Sequence, residues 1–219
     1  MLPQGILLID KPAGMTSHDV IDVLRRQTGE RRIGHAGTLD PFATGLLIVA
    51  VGRETTKTLS AYVGLDKEYE AEIILGARSQ TLDPEGPVEV LGAPSLSSAQ
   101  IETALQSLTG NLAQVPPMYS AIKIGGKKLY ELARVGKEIE RKPRAVHVKT
   151  FVLLSPPLAL KDGTTKLHVC IECSSGTYIR ALARDLGHAL GTEAYVSVLR
   201  RTRIGPYMAR DAHPVDAAR

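Results

Sequence analysis

Apolar positions come in two rhythms along the chain. Residues 6–9 (Ile6-Leu7-Leu8-Ile9) and 46–51 are short unbroken apolar runs between turn residues, which predicts buried strands. In residues 67–75, Tyr69, Ala71, Ile73 and Leu75 alternate with Glu68, Glu70 and Glu72, and in residues 166–173, Leu167, Val169, Ile171 and Cys173 alternate with polar neighbours. That period of two predicts half-buried strands, with further strands over 146–154 and 195–199. Helical spacing appears elsewhere. Thr16 with Asp19, and Ser97 with Gln100, have the form of capping boxes. Val20, Val23 and Leu24 stripe the first helix, which Gly29 stops; Ile101, Leu105 and Leu108 stripe the second. Ile179, Leu182, Ala183, Leu186 and Leu190 share a face of a third, stopped by Gly191. Shorter helices are predicted up to Tyr62 and over 129–134. Several strands with fewer helices predict an α+β fold around a central mixed or antiparallel sheet flanked by helices.

Two segments escape both rhythms. Residues 34–47 hold three glycines, Pro41 and one carboxylate, Asp40. Pro41 biases Asp40 away from helix, so the acid is expected on a shaped loop ahead of a core strand. A positioned nucleophile or general base needs that arrangement; a turn aspartate bonding its own backbone is the plainer alternative. Residues 114–145 begin with Pro116-Pro117, are broken by Gly125-Gly126 and are rich in cations. We read them as an excursion carrying charge to a partner, the rival being a long surface connection.

The 219 residues, 43% hydrophobic and 23% charged, suit one generous domain or one domain with an insertion. Residues 1–210 are read as the domain and 211–219 as a short helix or frayed tail. No apolar run approaches the ~20 residues of a membrane helix, and the N-terminus lacks a signal-peptide pattern, which predicts a cytoplasmic protein. Cys170 and Cys173 lie three apart on a predicted strand, hence on opposite faces, which argues against a shared metal or disulfide. The net charge of +4 is clustered at Arg25-Arg26, Arg31-Arg32, Lys123 with Lys127-Lys128, Arg141-Lys142 with Arg144, and Arg200-Arg201 with Arg203. Such clusters fit a polyanion, although any single one is more often solvated surface.

Asp10-Lys11-Pro12-Ala13-Gly14 with Thr16-Ser17-His18-Asp19, then Gly34-His35-Ala36-Gly37-Thr38-Leu39-Asp40-Pro41, resemble the first two motifs of the tRNA pseudouridine-55 synthases, the TruB family. Lys67-Glu68-Tyr69 resembles the family's tyrosine motif, and Pro116-Pro117-Met118-Tyr119-Ser120-Ala121-Ile122-Lys123 its RNA-gripping insertion. Cys173-Ser174-Ser175-Gly176-Thr177-Tyr178-Ile179-Arg180 and Leu199-Arg200-Arg201-Thr202 resemble its later core motifs. The match runs in order from Ile6 to Tyr207.

The resemblance implies a pseudouridine-synthase fold that isomerises a uridine in the tRNA T-loop, with no cofactor and no metal. It implies Asp40 as nucleophile or base, Tyr69 stacking on the extruded uracil, and Arg180 holding Asp40 charged. Tyr178 and Leu199 would line the uracil pocket, His35 would enter the T-loop, and Lys123 would grip RNA. Base flipping fits this set: extrusion takes a few kcal/mol and one aromatic stack returns about 1–3 kcal/mol. The expected partner is the T-arm of tRNA, bound by a monomer with no membrane contact. Many bacterial relatives carry a C-terminal PUA-type domain, for which 211–219 is too short, so the insertion is expected to do more of the binding. One rival is a non-catalytic RNA-binding or RNA-chaperone module. Another is an aspartate-nucleophile phosphohydrolase; there the acid precedes Gly-Thr-Leu, whereas here Asp40 follows it.

Overall fold

Strand β1 (Gly5–Lys11) opens the chain and ends where Pro12 removes a ladder donor. A computed structural model describes residues 5–120, 122–134 and 136–217. Residues 1–4, Ala121 of the insertion motif and the last two residues of the tail lie outside the described residues. The Thr16 hydroxyl accepts from the Asp19 N–H at 3.0 Å and the Asp19 carboxylate accepts from the Thr16 N–H at 2.7 Å, starting helix α1 (Ser17–Thr28). Gly29, at φ 71°, donates its N–H to the Arg25 carbonyl and ends it. Then come β2 (Ile33–Ala36), β3 (Thr44–Val51), the short helices α2 (Arg53–Thr56) and α3 (Leu59–Val63), and β4 (Lys67–Leu75). A hairpin of β5 (Ala77–Ser79) and β6 (Val88–Val90) leads to α4 (Ser98–Ser107) and β7 (Gly110–Gln114). The hairpin β8 (Lys123–Ile124) and β9 (Lys127–Lys128) and helix α5 (Leu129–Arg134) precede β10 (Arg144–Leu153). The chain continues through β11 (Leu158–Ala159), β12 (Thr165–Cys173), α6 (Ile179–Ala189), β13 (Ala194–Ile204), β14 (Tyr207–Met208) and β15 (His213–Pro214).

Two compact units share these elements: Met1–Ala71 with Cys170–Ser175 and Val198–Arg219, and Glu72–Val169 with Gly176–Ser197. In the first, β3 is central. It runs antiparallel to β1 from Gly5↔Val51 to Lys11↔Gly45 and antiparallel to β2 from Ile33↔Val51 to Ala36↔Ile48. It is also parallel to β13 at Arg200↔Thr44 and Arg201↔Gly45. Every residue of β3 after Thr44 is buried, as its unbroken apolar run requires. Leu47, Val49 and Val51 pack with Val20, Ile21 and Leu24 of α1, while Leu46 and Ile48 pack with Ala36 and Ile204. Ile21 thus takes the buried place expected for Val23, which is only partly buried.

The tail holds a short helix, as its sequence reading allows, in the 3₁₀ turn Val215–Ala217, and adds a strand that reading lacked. Residues 209–211 form one 3₁₀ turn, β15 adds to β1 in parallel at Ile9↔His213, and Val215 joins the α1 core. A two-residue strand carries no periodic signal, and its partner lies some two hundred residues away in sequence.

In the second unit, β7 and β10 pair antiparallel from Arg144↔Gln114 to Val148↔Gly110. The excursion between them therefore begins and ends at one strand pair. Leu167, Val169, Ile171 and Cys173 of β12 are buried while Cys170 is only half-buried, so the two thiols do face apart. Helix α6 buries Ile179, Ala181, Leu182, Ala183 and Leu186.

Candidate active site

Asp40 stands half-buried in the loop joining β2 to β3. That loop is held by its main chain. From α1, the Ser17 hydroxyl accepts from the Leu39 N–H at 2.9 Å and reaches the Leu39 carbonyl at 3.3 Å. From the end of β1, the Lys11 ammonium donates to the Pro41 carbonyl at 3.2 Å, and to Pro12 and Met15 carbonyls at 2.8 and 2.7 Å. The Gly14 N–H also donates to the Pro41 carbonyl, at 2.9 Å. From β13, Arg201 donates through Nη2 to the Gly37 carbonyl at 3.0 Å, through Nη1 towards the Thr38 carbonyl at 3.5 Å, and through Nε to the Leu46 carbonyl at 2.8 Å. Lys11 and Arg201 are 0% and 1% exposed, so carbonyl oxygens replace water around both cations. The Asp40 backbone is thereby fixed from both sides, which positions its carboxylate before any ligand arrives.

Tyr69, on the buried face of β4, belongs to the same unit. Burial raises its phenol above the usual value; the charge and hydrogen bonding of Arg201 pull the other way, and Cys173 and Asp40 add to the rise. The ring is therefore a neutral phenol at neutral pH. Lys67, two residues earlier on that face, donates to the Val63 and Leu65 carbonyls at 2.6 and 2.5 Å. Burial, then Arg201, bring its ammonium down to about 8. His35 in β2 is lowered chiefly by burial, then by Arg201 and His18, and its Nδ1 is buried with no hydrogen-bond partner among the described residues. Leu199 is 5% exposed, two residues before Arg201 on the buried side of β13.

Tyr178 and Arg180 belong to the second unit. Tyr178 is the residue ahead of α6, and Gln114 grips its backbone in both directions: Oε1 accepts from the Tyr178 N–H at 2.8 Å and Nε2 donates to its carbonyl at 3.1 Å. Arg180 is 4% exposed. Its Nη1 donates to the Asp83 carboxylate at 2.8 Å and the Thr81 carbonyl at 2.7 Å, and its Nη2 to the Tyr119 carbonyl at 2.7 Å. Lys123 opens β8, directly opposite Lys128 of β9.

Within the first unit, Tyr69, His35 and Lys67 all feel the charge of Arg201, and Tyr69 also feels that of Asp40. Sequence reasoning missed the fixing residues Lys11, Ser17, Arg201, Asp83 and Gln114. It also misread one cluster: Arg200-Arg201 with Arg203 is not a solvated face. Arg201 is buried, Arg200 pairs with Asp10 at 2.7 Å, and Arg203 pairs with Glu172 at 2.8 Å. The signal was available, because neighbouring residues of a strand point to opposite faces, so two consecutive arginines in β13 cannot both face water when one face is core.

Family models match the whole later course of the chain. The TruB family pseudouridylate synthase N-terminal domain matches residues 25–179, and the tRNA pseudouridylate synthase B C-terminal domain matches residues 180–218. The chain is 48% identical over 214 residues to tRNA pseudouridine synthase B of Mycobacterium sp. (strain KMS), covering 97% of this chain and 71% of that relative. It is 46% identical over 213 residues to the protein of that name from Mycobacterium tuberculosis, covering 97% and 70%. Among solved structures, it resembles a chain of a Cbf5-Nop10-Gar1 complex with a TM-score of 0.72 and 28% identity, over 97% of this chain. It spans 54% of that solved chain's length.

Proposed function

The chain belongs to the TruB family of pseudouridylate synthases, a family of isomerases, and we propose on that premise that it converts a uridine in the T-loop of tRNA, at position 55, to pseudouridine. The observation that supports this most is the Asp40 loop, held rigid by buried side chains with a neutral phenol, Tyr69, in the same electrostatic neighbourhood. The reaction is an isomerisation: the N1–C1′ bond breaks, the uracil turns, C5 bonds to C1′, and the proton lost from C5 is matched by one gained at N1, so that atoms and charge balance. Asp40 starts it as nucleophile or base. A carboxylate serves that role only while ionised and held in place, which is what a fixed main chain and a nearby guanidinium favour. The sequence motif at residues 173–180 assigns Arg180 to keep Asp40 charged, and we carry that pairing as a proposal.

Tyr69 stacks on the extruded uracil, and Tyr178 and Leu199 line the base. His35, kept neutral by burial, enters the gap that the flipped base leaves in the T-loop. A neutral ring replaces a base in a stack without carrying a charge into it. The insertion between β7 and β10, with Lys123, grips the T-arm phosphates; such contacts supply sequence-independent affinity that falls with salt. The proposed enzyme works as a monomer in the cytoplasm, without cofactor or metal. Among the described residues no helix is long and apolar enough to cross a membrane.

The deciding experiment compares wild type with Asp40→Asn on a T-arm stem-loop RNA. The variant should bind RNA as wild type does and form no pseudouridine. Equal product from both would leave the non-catalytic RNA-binding reading in its place.

A further inference from the structure

We propose that Arg26, Arg31, Arg32 and Arg53 form a second RNA-binding surface on the first unit, one that holds phosphates of tRNA outside the T-arm. This rests on the reading above that the T-loop lies against Asp40, and it takes up a basic cluster to which that reading gave no role.

The backbone brings these residues to one corner from three elements. Arg26 lies in the last turn of α1. Arg31 and Arg32 come just before β2, and Arg25 of α1 donates through Nε to the Arg31 carbonyl at 3.3 Å. The Gly52 N–H donates to the Arg32 carbonyl at 2.8 Å, which seats the start of α2, with Arg53 as its first residue, beside Arg32. All four arginines are exposed. Among the described residues none of the four is paired with a carboxylate. By contrast, Arg25, Arg200 and Arg203 of the same unit each hold one, at 2.9, 2.7 and 2.8 Å. The acids nearby are engaged: Glu54 holds Lys57 at 2.8 Å, and Glu30 accepts from the Arg32 N–H at 2.7 Å. The corner therefore keeps an excess of positive charge.

Any one exposed arginine is ordinary surface, and lysine would serve solubility as well. Four arginines at one corner present planar forks, each matching two phosphate oxygens at once. Two elements measure how far this corner stands from the chemistry. Helix α1 begins at Ser17, which grips the Asp40 loop, and its 12 residues rise about 18 Å towards the arginines. Strand β3 begins where that loop ends, and its 8 residues carry the chain about 23 Å to the corner at Gly52. A partner that touches both ends is an extended polyanion, not a single nucleotide. The T-arm phosphates are taken by the insertion in the reading above. In a folded tRNA the T-loop packs against a second limb, and the phosphates of that limb are the ones this corner holds.

Three proteins test this: wild type, Arg53→Gln and the triple variant Arg31→Gln/Arg32→Gln/Arg53→Gln. Each is titrated over a range of salt with a full-length tRNA transcript and with a T-arm stem-loop. On the full-length transcript, the slope of log affinity against log salt should become shallower by about one in Arg53→Gln and by about three in the triple variant. On the stem-loop, both variants should keep the wild-type slope. Unchanged slopes with both RNAs overturn the inference. Equal losses with both RNAs also overturn it, since the corner would then serve the T-arm itself. Melting temperatures should match wild type, as expected for exposed positions; if the triple variant melts early, Arg53→Gln decides alone. Product formation by wild type on the stem-loop is followed separately. Its absence would reject the reading of the Asp40 site, while the salt slopes would still decide whether this corner binds RNA.

Discussion

The Ser17 hydroxyl holds Leu39 at both its N–H and its carbonyl, at 2.9 and 3.3 Å, one residue before Asp40. Both residues are buried, at 1% and 3% exposure. A hydroxyl at the start of helix α1 therefore sets the height of the acid. Ser17→Ala leaves the Leu39 N–H without its partner in the interior, a loss of about 1–3 kcal/mol. The expected signs are a lower melting temperature and a turnover that falls more than RNA affinity does. An unchanged turnover number in a folded variant would show that the loop does not need this grip.

Asp83 and Arg180 form an ion pair whose side chains are 1% and 5% exposed. Removing one partner of such a pair costs about 3–5 kcal/mol, because the other charge stays in the interior. Asp83→Ala should therefore melt well below wild type, by roughly 2–4 °C for each kcal/mol in a chain of this size. Calorimetry reads this directly. A shift as small as that of a surface substitution would mean that the remaining partners of Arg180, the Thr81 and Tyr119 carbonyls among them, satisfy it without Asp83.

Gly45 has φ 103°, and a Cβ there would stand 2.3 Å from the Arg201 carbonyl oxygen and 2.8 Å from its nitrogen. No flexible side chain can yield, since both atoms are backbone. Gly45→Ala should break the parallel pairing of β3 with β13, with a loss of stability of at least about 2 kcal/mol from overpacking and strain together. Denaturant midpoints check it; a variant as stable as wild type would place the two strands further apart than described.

The Lys67 ammonium, held down to about 8 from 10.5 by burial, gives a pH signature. Between those values the unfolded chain keeps a proton that the folded chain has released. Stability from this residue therefore rises as pH climbs from about 8 towards 10.5, and is least favourable below about 8. The difference in urea midpoint between wild type and Lys67→Met should accordingly move in favour of wild type across that window. A flat or opposite trend would show that the ammonium is not desolvated.

The local grammar of the chain was legible. The capping boxes at Thr16 and Ser97 and the period-two faces of β4 and β12 depend on residues a few positions apart, and each formed as the pattern predicts. Asp40 could be placed on a loop ahead of a core strand for the same reason. What holds that loop could not be read. Arg201 meets the Gly37 carbonyl across 164 positions, and no periodicity encodes a contact between a side chain and a distant main-chain oxygen. Strand β2 was hidden because its four residues include a glycine and a histidine in a stretch with the composition of a turn. The inward turn of Arg201 followed from strand parity, but only once β13 was known to continue past Leu199 to Ile204.

Among the described residues, the grips on the Asp40 loop fasten carbonyls and amides and not the side chains of Thr38 or Leu39. A scaffold that holds a peptide chain by its invariant atoms is indifferent to what that chain spells. Drift in the loop's lettering would leave the acid where it stands, whereas a single change in a distant clamp would shift it. The residues most worth watching in this molecule's descendants are therefore the ones furthest from the loop in sequence.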